Sequence, residues 1–368
     1  MIETGPGERA LETHTNLPIS ELDTPALLVD LNAMEHNLER MGRFFDGRKS
    51  KLRPHFKNHR ILELAARQMR NGATGITCAK LSQAEKLVHA GIRRVLIANE
   101  IAGESCLRRF IQLSQEAPVL LAIDNAAIAV DLARLAGDRS SQLNLLVDID
   151  LGLKRCGVAP GEPAAALARK IVDRGLRLRG IMGYEGHLQP LEPGPQKQLQ
   201  VAQAMAALIE SKKRIEADGV AVDIVSCGGT GDYEIAGVYP GVTEIQAGSY
   251  LLMDTWYAPF APGFRPSLSV LATVISKTPR ERIVVNAGVK ALSGERGLPS
   301  VKDAGGLKLK ALHAEHALIE IVDPAAPVEV GDKIEISVHY HDGTIQLHRR
   351  LYGIRDGRVE ESFEIEHE

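Results

Sequence analysis

The feature that most constrains the fold is the regular alternation of short apolar runs with amphipathic stretches from residue 25 to about residue 250. The runs have the length of strands and are PALLVDL, KLRPHFKN, GATGITCA, RVLIANE, VLLAID, LNLLVDID, LRGIMGYEG and VDIVSCGG. Amphipathic stretches such as LSQAEKLVHAG follow most of them. Continuous apolar strands separated by helices predict a parallel sheet buried on both faces. About eight such units indicate a (β/α)8 barrel, an α/β fold, with PALLVDL as its first strand and VDIVSCGG as its eighth.

The pattern changes near Tyr257, where APFAPGFRP has the composition of a linker. Beyond it, strand-like runs follow one another without intervening helices: VLATVISK, RIVVNAG, HALIEIV, DKIEISVHY and TIQLHRRLYGI. We therefore expect a lead-in over residues 1–24 that packs on the β domain, a barrel over residues 25–256 and a mainly β domain over residues 257–368.

Composition excludes several function classes. The net charge of −3 and an aromatic content of 4% argue against a nucleic-acid partner. No apolar run approaches the roughly 20 residues that span a bilayer, and the polar N-terminus is unlike a signal peptide. The four cysteines form no CxxC pair, which is typical of a reducing compartment. We expect a cytoplasmic protein that acts on a small molecule, without a nucleic-acid or membrane partner.

Chemistry in a barrel is found where the strands end. The second predicted strand ends in the basic block RPHFKNHR, which contains Lys57. Neighbouring cations favour the neutral amine of a lysine, the form that attacks a carbonyl. Without further information, a solvated basic loop is an equally good interpretation of this block.

Two glycine-rich turns follow late in the barrel region, SCGGTGDY at residues 226–233 and QAGSY at residues 246–250. Successive backbone N–H groups in such turns form an anion cradle, and barrels often hold phosphate near strands 7 and 8. A strand-end lysine together with a phosphate cradle predicts pyridoxal 5′-phosphate, an aldehyde with a phosphate group. The absence of a GxGxxG motif after an early strand disfavours NAD.

The chain resembles the D-threonine aldolase / D-serine dehydratase family of fold-type III, alanine racemase-like pyridoxal-phosphate enzymes. The blocks that carry the resemblance stand in family order from about Leu22 to Glu360: DTPALLVDL, RPHFKNHR, ITCAKLSQAE, LKRCG, GYEGH, SCGGTGDY, IQAGSYLLMD and NAGVKALS. This resemblance implies a barrel with a C-terminal β domain, a homodimer and a D-amino acid substrate.

The resemblance also implies residue roles. Lys57 forms the Schiff base with the cofactor, Arg155 contacts its phenolic oxygen and Tyr184 lines it. The phosphate is held by a set of turn residues, namely Thr230, Gly231, Gly248 and Ser249, with Tyr250 beside them. His55 and His187 are the other catalytic candidates, and Thr77 and Lys80 are candidates for the wall of the site. Taken alone, Tyr184 would fit a buried barrel aromatic, Arg155 a surface ion pair and His55 a core hydrogen-bonding group.

Family members carry a metal-binding His-x-Cys or His-x-Asp pair shortly before a threonine of the β domain. Here the segment is VHYHDGT, with Asp342 in the acid position, Tyr340 in the histidine position, and His339 and His341 on either side of Tyr340. If the segment is a strand, Asp342 and the two histidines face opposite sides unless a bulge intervenes. We predict metal ligands Asp342, His341 and His339 with Mn²⁺ or Mg²⁺ rather than zinc; the alternative is a metal-free site in which Tyr340 acts.

The expected activity is cleavage of D-configured β-hydroxy-α-amino acids to glycine and an aldehyde. Asp342 without a cysteine favours this aldolase reaction. Dehydration of D-serine or 3-hydroxy-D-aspartate, or amino-acid racemisation, are the alternatives on the same scaffold. The Glu315-His316 pair resembles a family Glu-His pair that can face the partner's site in a dimer, and is equally compatible with a sheet-edge hydrogen bond.

Overall fold

The computed structural model describes residues 16–278 and 281–367, and this part of the chain divides into two compact units. One unit comprises residues 35–266 with 366–367, and the other comprises residues 16–34 with 267–365. The division falls within the first helix, α1 (Leu31–Phe45). Among the described residues, none of the helices has both the length and the apolar composition needed to cross a membrane.

The unit of residues 35–266 is a (β/α)8 barrel, which confirms the predicted fold class. Its parallel strands in the described chain are β2 (Lys51–Leu52), β3 (Ile76–Cys78), β4 (Val95–Ile97), β5 (Leu120–Ile123), β6 (Asn144–Ile149), β7 (Arg177–Gly183), β8 (Ile224–Cys227) and β9 (Glu244–Ile245). Its helices are most of α1, α2 (Leu62–Arg70), α3 (Leu81–His89), α4 (Glu104–Glu116), α5 (Ala126–Ala136), α6 (Glu162–Asp173), α7 (Pro195–Ala217) and α8 (Tyr233–Ala236).

The burial of these elements follows from their sequence pattern. Every residue of β6 is buried, as expected for a parallel strand that is covered on both faces. The helices bury one stripe each; in α6 the buried residues are Ala164, Ala165, Leu167, Ala168 and Ile171. Apolar residues at this spacing lie on one helix face, which packs against the strands.

The barrel closes through residues 51–55. On one side their N–H groups donate to residues 243–247, from Lys51 to Thr243 at 2.8 Å and from Arg53 to Ile245 at 2.9 Å. On the other side a parallel bridge joins His55 to Thr77 on β3. The segment that leads into Lys57 is therefore paired on both edges.

A buried ion pair reinforces this closure. The Arg53 guanidinium donates to both carboxylate oxygens of Glu244 at 2.7 and 2.6 Å, and both residues are buried. A third N–H of Arg53 donates to the Arg94 carbonyl. Gly75 leaves room for this side chain, because a Cβ there would lie 2.1 Å from Arg53 Nη1. The bidentate pair ties the first barrel strand to the last.

The second unit is built on a mixed sheet of nine strands within the described residues. They are β1 (Ala26–Asp30), β10 (Leu268–Thr278), β11 (Arg282–Val285), β12 (Ser300–Val301), β13 (Leu307–Leu312), β14 (Ala317–Ile321), β15 (Lys333–Ser337), β16 (Arg350–Arg355) and β17 (Arg358–Glu364). The main path runs β13-β14-β11-β10-β1-β16-β17, with β15 paired to β10 and β12. Residues 16 and 17 add backbone hydrogen bonds to Val359 of β17.

The predicted numbering of the barrel strands was wrong. The run PALLVDL forms β1, which pairs antiparallel with β10 and parallel with β16 instead of joining the barrel. The strand that ends in Cys227 is consequently the seventh barrel strand, and β9 is the eighth. The unit that contains the C-terminal strands resumes at Ser267, whereas we expected the β domain to begin at residue 257.

The predicted strand DKIEISVHY is shorter than expected, and the segment VHYHDGT is not a continuous strand. Strand β15 ends at Ser337, and His341 begins a short helix, α9 (His341–Ile345). The side chain of Thr344 donates back to the Tyr340 carbonyl at 2.9 Å, which stabilises this turn. The expectation that alternate residues face opposite sides therefore does not apply to this segment.

Replacing Arg53 by Met should destabilise the protein strongly, because it leaves Glu244 buried without its counter-charge. We expect a loss of about 3–5 kcal/mol in the free energy of unfolding, measured by urea denaturation. The control is Arg108→Met, which breaks an exposed pair with Glu104 and should leave the midpoint unchanged. Equal midpoints for the two variants would show that the buried pair does not hold the closure.

Candidate active site

Lys57 lies at the end of the barrel where the carboxyl ends of the strands meet. It is half-buried in a 3-10 turn, Phe56–Asn58, directly after the closing segment. His55 caps this turn, and its Nδ1 atom accepts the Lys57 backbone N–H at 3.4 Å. The backbone that carries Lys57 is thus fixed by the barrel and by its own cap.

His55 stays neutral at physiological pH. Burial lowers its pKa well below the ordinary value, and the charges of Lys57, His59 and Arg155 lower the pKa further. These contributions place the three basic groups around the His55 ring. A neutral imidazole can accept a proton, which a charged imidazolium cannot.

The turn of residues 246–250, which follows the eighth barrel strand β9, packs directly against the Lys57 turn. A Cβ on Gly248 would lie 1.8 Å from Asn58 Oδ1 and 2.9 Å from the His55 carbonyl oxygen. Asn58 Nδ2 donates to Ser249 Oγ at 3.3 Å. Only glycine permits this close approach, which brings the turn of Ser249 against the turn of Lys57.

The two glycine-rich turns are also joined to each other. Thr230 Oγ1, on the seventh-strand turn, accepts the Tyr250 backbone N–H at 3.0 Å. The Tyr250 side chain itself is fully buried, and its hydroxyl accepts a hydrogen bond from Gln68 Nε2 at 2.9 Å. Tyr250 therefore supports the turn from behind, and its hydroxyl is directed into the barrel wall.

The backbone N–H of Gly231 is hydrogen-bonded to protein atoms and does not face an open anion site. Its N–H donates to Gln189 Oε1 at 2.9 Å and lies 3.2 Å from the Tyr257 hydroxyl. A Cβ on Gly231 would lie 2.8 Å from the Gln189 carbonyl oxygen. The predicted phosphate residues are thus brought together, but this N–H already has protein acceptors.

Arg155 and Tyr184, the residue directly after β7, lie on the same end of the barrel. The Arg155 guanidinium carbon is 5.9 Å from the centre of the Tyr184 ring, and its charge acts on His55. His187 is exposed and lies beside the loop after β6, since a Cβ on Gly152 would be 3.1 Å from its ring. The predicted catalytic and cofactor-contacting groups thus share one rim.

The two predicted wall residues differ in their surroundings. Thr77 is fully buried on β3, and its hydroxyl donates to the Arg53 carbonyl at 3.0 Å. Lys80 is exposed at the start of α3. Thr77 therefore stabilises the barrel closure, while Lys80 is accessible to solvent.

An acidic cluster that sequence reasoning missed lies beside Arg155. Ligand atoms of Glu100, Asp124 and Cys156 lie within 4.8 Å of one another, and each residue follows a barrel strand. Burial, together with Glu100 and Asp124, raises the pKa of nearby Asp148 to about 8. The signal was present in the sequence, because the apolar runs RVLIANE, VLLAID and LNLLVDID all end in or beside a carboxylic acid.

A second missed group lies under the seventh-strand turn. Glu185 and Asp232 are buried carboxyls, and Gln189 and Tyr257 are hydrogen-bonded around them. Both acids lie within the family-like blocks GYEGH and SCGGTGDY, but the sequence of these blocks does not predict that their carboxyls are buried.

In the second unit, the predicted metal ligands are partly brought together. His341 Nε2 lies 3.3 Å from Asp342 Oδ1, with His341 buried and Asp342 partly exposed. The Arg296 guanidinium carbon lies 5.4 Å from the centre of the Tyr340 ring. His339 lies beside Gly297 of the same unit, where a Cβ would be 3.5 Å from its Nε2. The start of α9, rather than a bulge, places a histidine next to Asp342.

Tyr340 is suited to donate a proton. Burial raises its pKa, and the nearby carboxyls of Asp342 and Glu295 raise the pKa further. Its hydroxyl therefore keeps its proton at neutral pH.

Glu315 and His316 are exposed on the loop between β13 and β14, where Glu315 pairs with Lys290.

Replacing Gly248 by Ala should separate the two turns, because the added Cβ meets Asn58. We expect a lower melting temperature of the cofactor-free protein and at least about tenfold weaker binding of pyridoxal phosphate. The double variant Gly248→Ala/Asn58→Ala should recover part of the loss. Gly305→Ala, where a Cβ meets nothing within 4 Å, is the control. Normal cofactor binding by Gly248→Ala would contradict this view of the site.

Comparisons with known proteins agree with this geometry. Residues 29–255 match the family described as "Alanine racemase, N-terminal domain", and residues 267–354 match "Putative serine dehydratase domain". D-threonine aldolase of Arthrobacter sp. is 35% identical over 95% of this chain and 93% of its own length.

Solved structures show the same likeness. The crystal structure of D-threonine aldolase from Filomicrobium marinum has a TM-score of 0.91 at 32% identity, covering 95% of this chain and 97% of that chain. D-threo-3-hydroxyaspartate dehydratase from Delftia sp. HT23 has a TM-score of 0.86 at 27% identity, covering 95% and 99%. A mutant of that dehydratase, described as in the metal-free form, is equally similar. The chain therefore belongs to the D-threonine aldolase / D-serine dehydratase family, with a barrel of the alanine racemase type.

Proposed function

We propose that this protein is a pyridoxal-phosphate-dependent lyase that cleaves D-configured β-hydroxy-α-amino acids to glycine and an aldehyde. The observation that carries the proposal is the meeting of three strand ends. The Lys57 turn after the first barrel strand lies against the turn after the eighth, which is joined to the turn after the seventh. Family membership and the D-threonine aldolase relatives support the same activity.

The residues of this rim fit the cofactor. Lys57 would hold its aldehyde carbon, and Arg155 would face its phenolic oxygen beside Tyr184. The hydroxyls of Ser249 and Thr230 lie where a phosphate near strands 7 and 8 would be held. When bound, the cofactor supplies an electron-withdrawing ring that accepts the electron pair released at the substrate α-carbon.

The chain itself must remove the proton of the substrate β-hydroxyl. Exposed His187 on this rim is a candidate base. Neutral His55 lies next to Lys57; because its Nδ1 atom accepts the Lys57 backbone N–H, its Nε2 atom carries the ring hydrogen and can donate a hydrogen bond to the substrate. Arg155 adds positive charge at this rim, which favours an anionic amino acid carboxylate.

We also propose that the second unit binds a divalent cation through His341 and Asp342, with His339 as a further ligand. The 3.3 Å between His341 Nε2 and Asp342 Oδ1 is compatible with both atoms binding one ion at about 2.1 Å. A nitrogen and an oxygen donor without a thiolate favour Mn²⁺ or Mg²⁺ over softer metals.

With pyridoxal phosphate and Mn²⁺, the purified protein should release acetaldehyde from D-threonine and benzaldehyde from D-phenylserine. Lys57→Ala should abolish this release and the absorbance at about 420 nm that fold-type III enzymes show. The measurement is a coupled alcohol dehydrogenase assay together with the absorption spectrum.

Lys170→Ala, which removes an exposed lysine of α6, is the control and should keep the spectrum. The absence of aldehyde from every D-β-hydroxy amino acid, with and without metal, would overturn the proposed activity. Persistence of the absorbance in Lys57→Ala would remove Lys57 from the site.

Dehydration is the second candidate function. It is favoured by the likeness to the Delftia dehydratase. A dehydratase would give a 2-keto acid and ammonia from D-serine or 3-hydroxy-D-aspartate. Quantifying glycine against ammonia in one reaction mixture separates the two chemistries.

Asp342→Asn should weaken binding of Mn²⁺ by about tenfold or more, because it removes a charged ligand oxygen. The direct measurement is titration of free Mn²⁺ by electron paramagnetic resonance. Asp303→Asn, at an exposed turn of the same unit, is the control. Unchanged Mn²⁺ binding in Asp342→Asn would leave the metal-free alternative with Tyr340.

The homodimer and the cytoplasmic location stay predictions of the family resemblance and of the composition.

A further inference from the structure

The turn of residues 228–232, which we call the phosphate-side turn, is held by side chains that lie behind it. Asp232 Oδ1 accepts the Gly229 N–H at 2.8 Å, within the turn. Asp232 Oδ2 accepts Gln189 Nε2, and Gln189 Oε1 in turn accepts the Gly231 N–H. The Tyr257 hydroxyl donates to the same Gln189 oxygen at 2.8 Å. The shape of the turn therefore depends on Asp232.

A second carboxyl faces Asp232 in this buried layer. Glu185 is 0% exposed, and neither of its oxygens accepts a well-aligned hydrogen bond from the described residues. The N–H groups of Glu185 and Gly228 lie close enough to favour the carboxylate slightly. Two adjacent buried carboxyls cannot both carry a charge, so one of them must hold a proton.

The hydrogen bonds assign this proton to Glu185. Both Asp232 oxygens accept N–H donors, as an ionised carboxylate does. The ammonium of Lys197 adds positive charge near Asp232, while its own N–H groups donate to the carbonyls of Gln189 and Leu191 at 2.9 and 3.0 Å. Glu185 has no comparable donors and is the group that can donate.

We propose that Glu185 is a positioning residue whose carboxyl keeps its proton at neutral pH and donates a hydrogen bond to Asp232, fixing the phosphate-side turn in the form that receives the cofactor phosphate. This inference rests on the proposed pyridoxal-phosphate function. Loss of the proton would place two negative charges side by side, displace Asp232 from the Gly229 N–H and add a charge behind the phosphate.

The surroundings of Glu185 agree with this role. Burial, and after it the charge of Asp232, raises the pKa of Glu185 well above its ordinary value. Burial also raises the pKa of Asp232, but the hydrogen bonds from Glu185 and Gly229 and the charge of Lys197 oppose that effect. The other titratable groups around the pair are the Cys227 thiol, the Tyr257 phenol and Glu244 on β9. Burial raises the pKa of both Cys227 and Tyr257.

The test compares Glu185→Gln, Asp232→Asn and wild type between about pH 6 and about pH 9.5. Glutamine keeps an N–H donor toward Asp232 and cannot lose it. The ratio of the pyridoxal-phosphate dissociation constants of wild type and Glu185→Gln cancels the titration of Lys57 and of the cofactor. We expect a ratio near one at low pH that rises by up to about tenfold per pH unit as Glu185 loses its proton.

Asp232→Asn should bind the cofactor at least about tenfold more weakly at every pH, because its amide nitrogen would face an N–H donor. Glu192→Gln, an exposed glutamate of the same loop region, is the matched control and should follow wild type. A ratio for Glu185→Gln that is as flat as that for Glu192→Gln overturns the inference.

The cofactor-free protein gives a second measurement. A raised carboxyl pKa means that stability is complete below the ordinary glutamate pKa and is lost as pH rises through the raised value. The melting temperature of wild type should therefore fall over this range more steeply than that of Glu185→Gln. Parallel melting curves would contradict the shared proton. If wild type bound no pyridoxal phosphate, the proposed function would fail while the melting curves still tested the carboxyl pair.

Discussion

The double-sided pairing of residues 51–55 is the constraint on which the rest of the site depends. These residues hydrogen-bond to the last barrel strand on one side and to β3 on the other, so the barrel closes there and nowhere else along the described eight-stranded sheet. Lys57 follows the pairing by two residues. The Arg53–Glu244 ion pair and the Gly248–Asn58 contact stabilise the same closure between the first and last barrel strands. A lysine on a free loop would cost more conformational entropy to order around a ligand.

The site separates its charges by depth. Basic groups, Lys57 and Arg155, lie at the rim, and His55 among them is neutral because burial opposes its charge. Buried carboxyls lie deeper: Glu185 and Asp232 behind the phosphate side, and Asp148 beside Glu100 and Asp124. An anionic ligand therefore meets the positive charges of Lys57 and Arg155 at the rim. Such an arrangement is preorganised for a phosphate and a carboxylate.

Sequence patterns predicted the barrel because each strand is an apolar run and each helix buries a periodic stripe, as in α6. They could not assign PALLVDL to its sheet, since a strand buried on both faces looks the same in either unit; only hydrogen-bond partners far along the chain decide this. The segment VHYHDGT was misjudged because its helix is a single short turn whose Gly343 packs against Ser293, a contact with no local signal. Lys57 and the glycine turns were found because strand ends mark them, whereas the burial of Glu185 depends on three separate loops.

The position of β1 has a consequence for how the chain can be divided. This strand comes from the beginning of the sequence, yet it lies between β10 and β16 in the interior of a sheet otherwise made from the last hundred or so residues. During synthesis β1 leaves the ribosome well before the other strands of this sheet, so the sheet cannot be completed until residues 268–364 have been made. An isolated C-terminal fragment would expose two unpaired strand edges and would tend to associate through them.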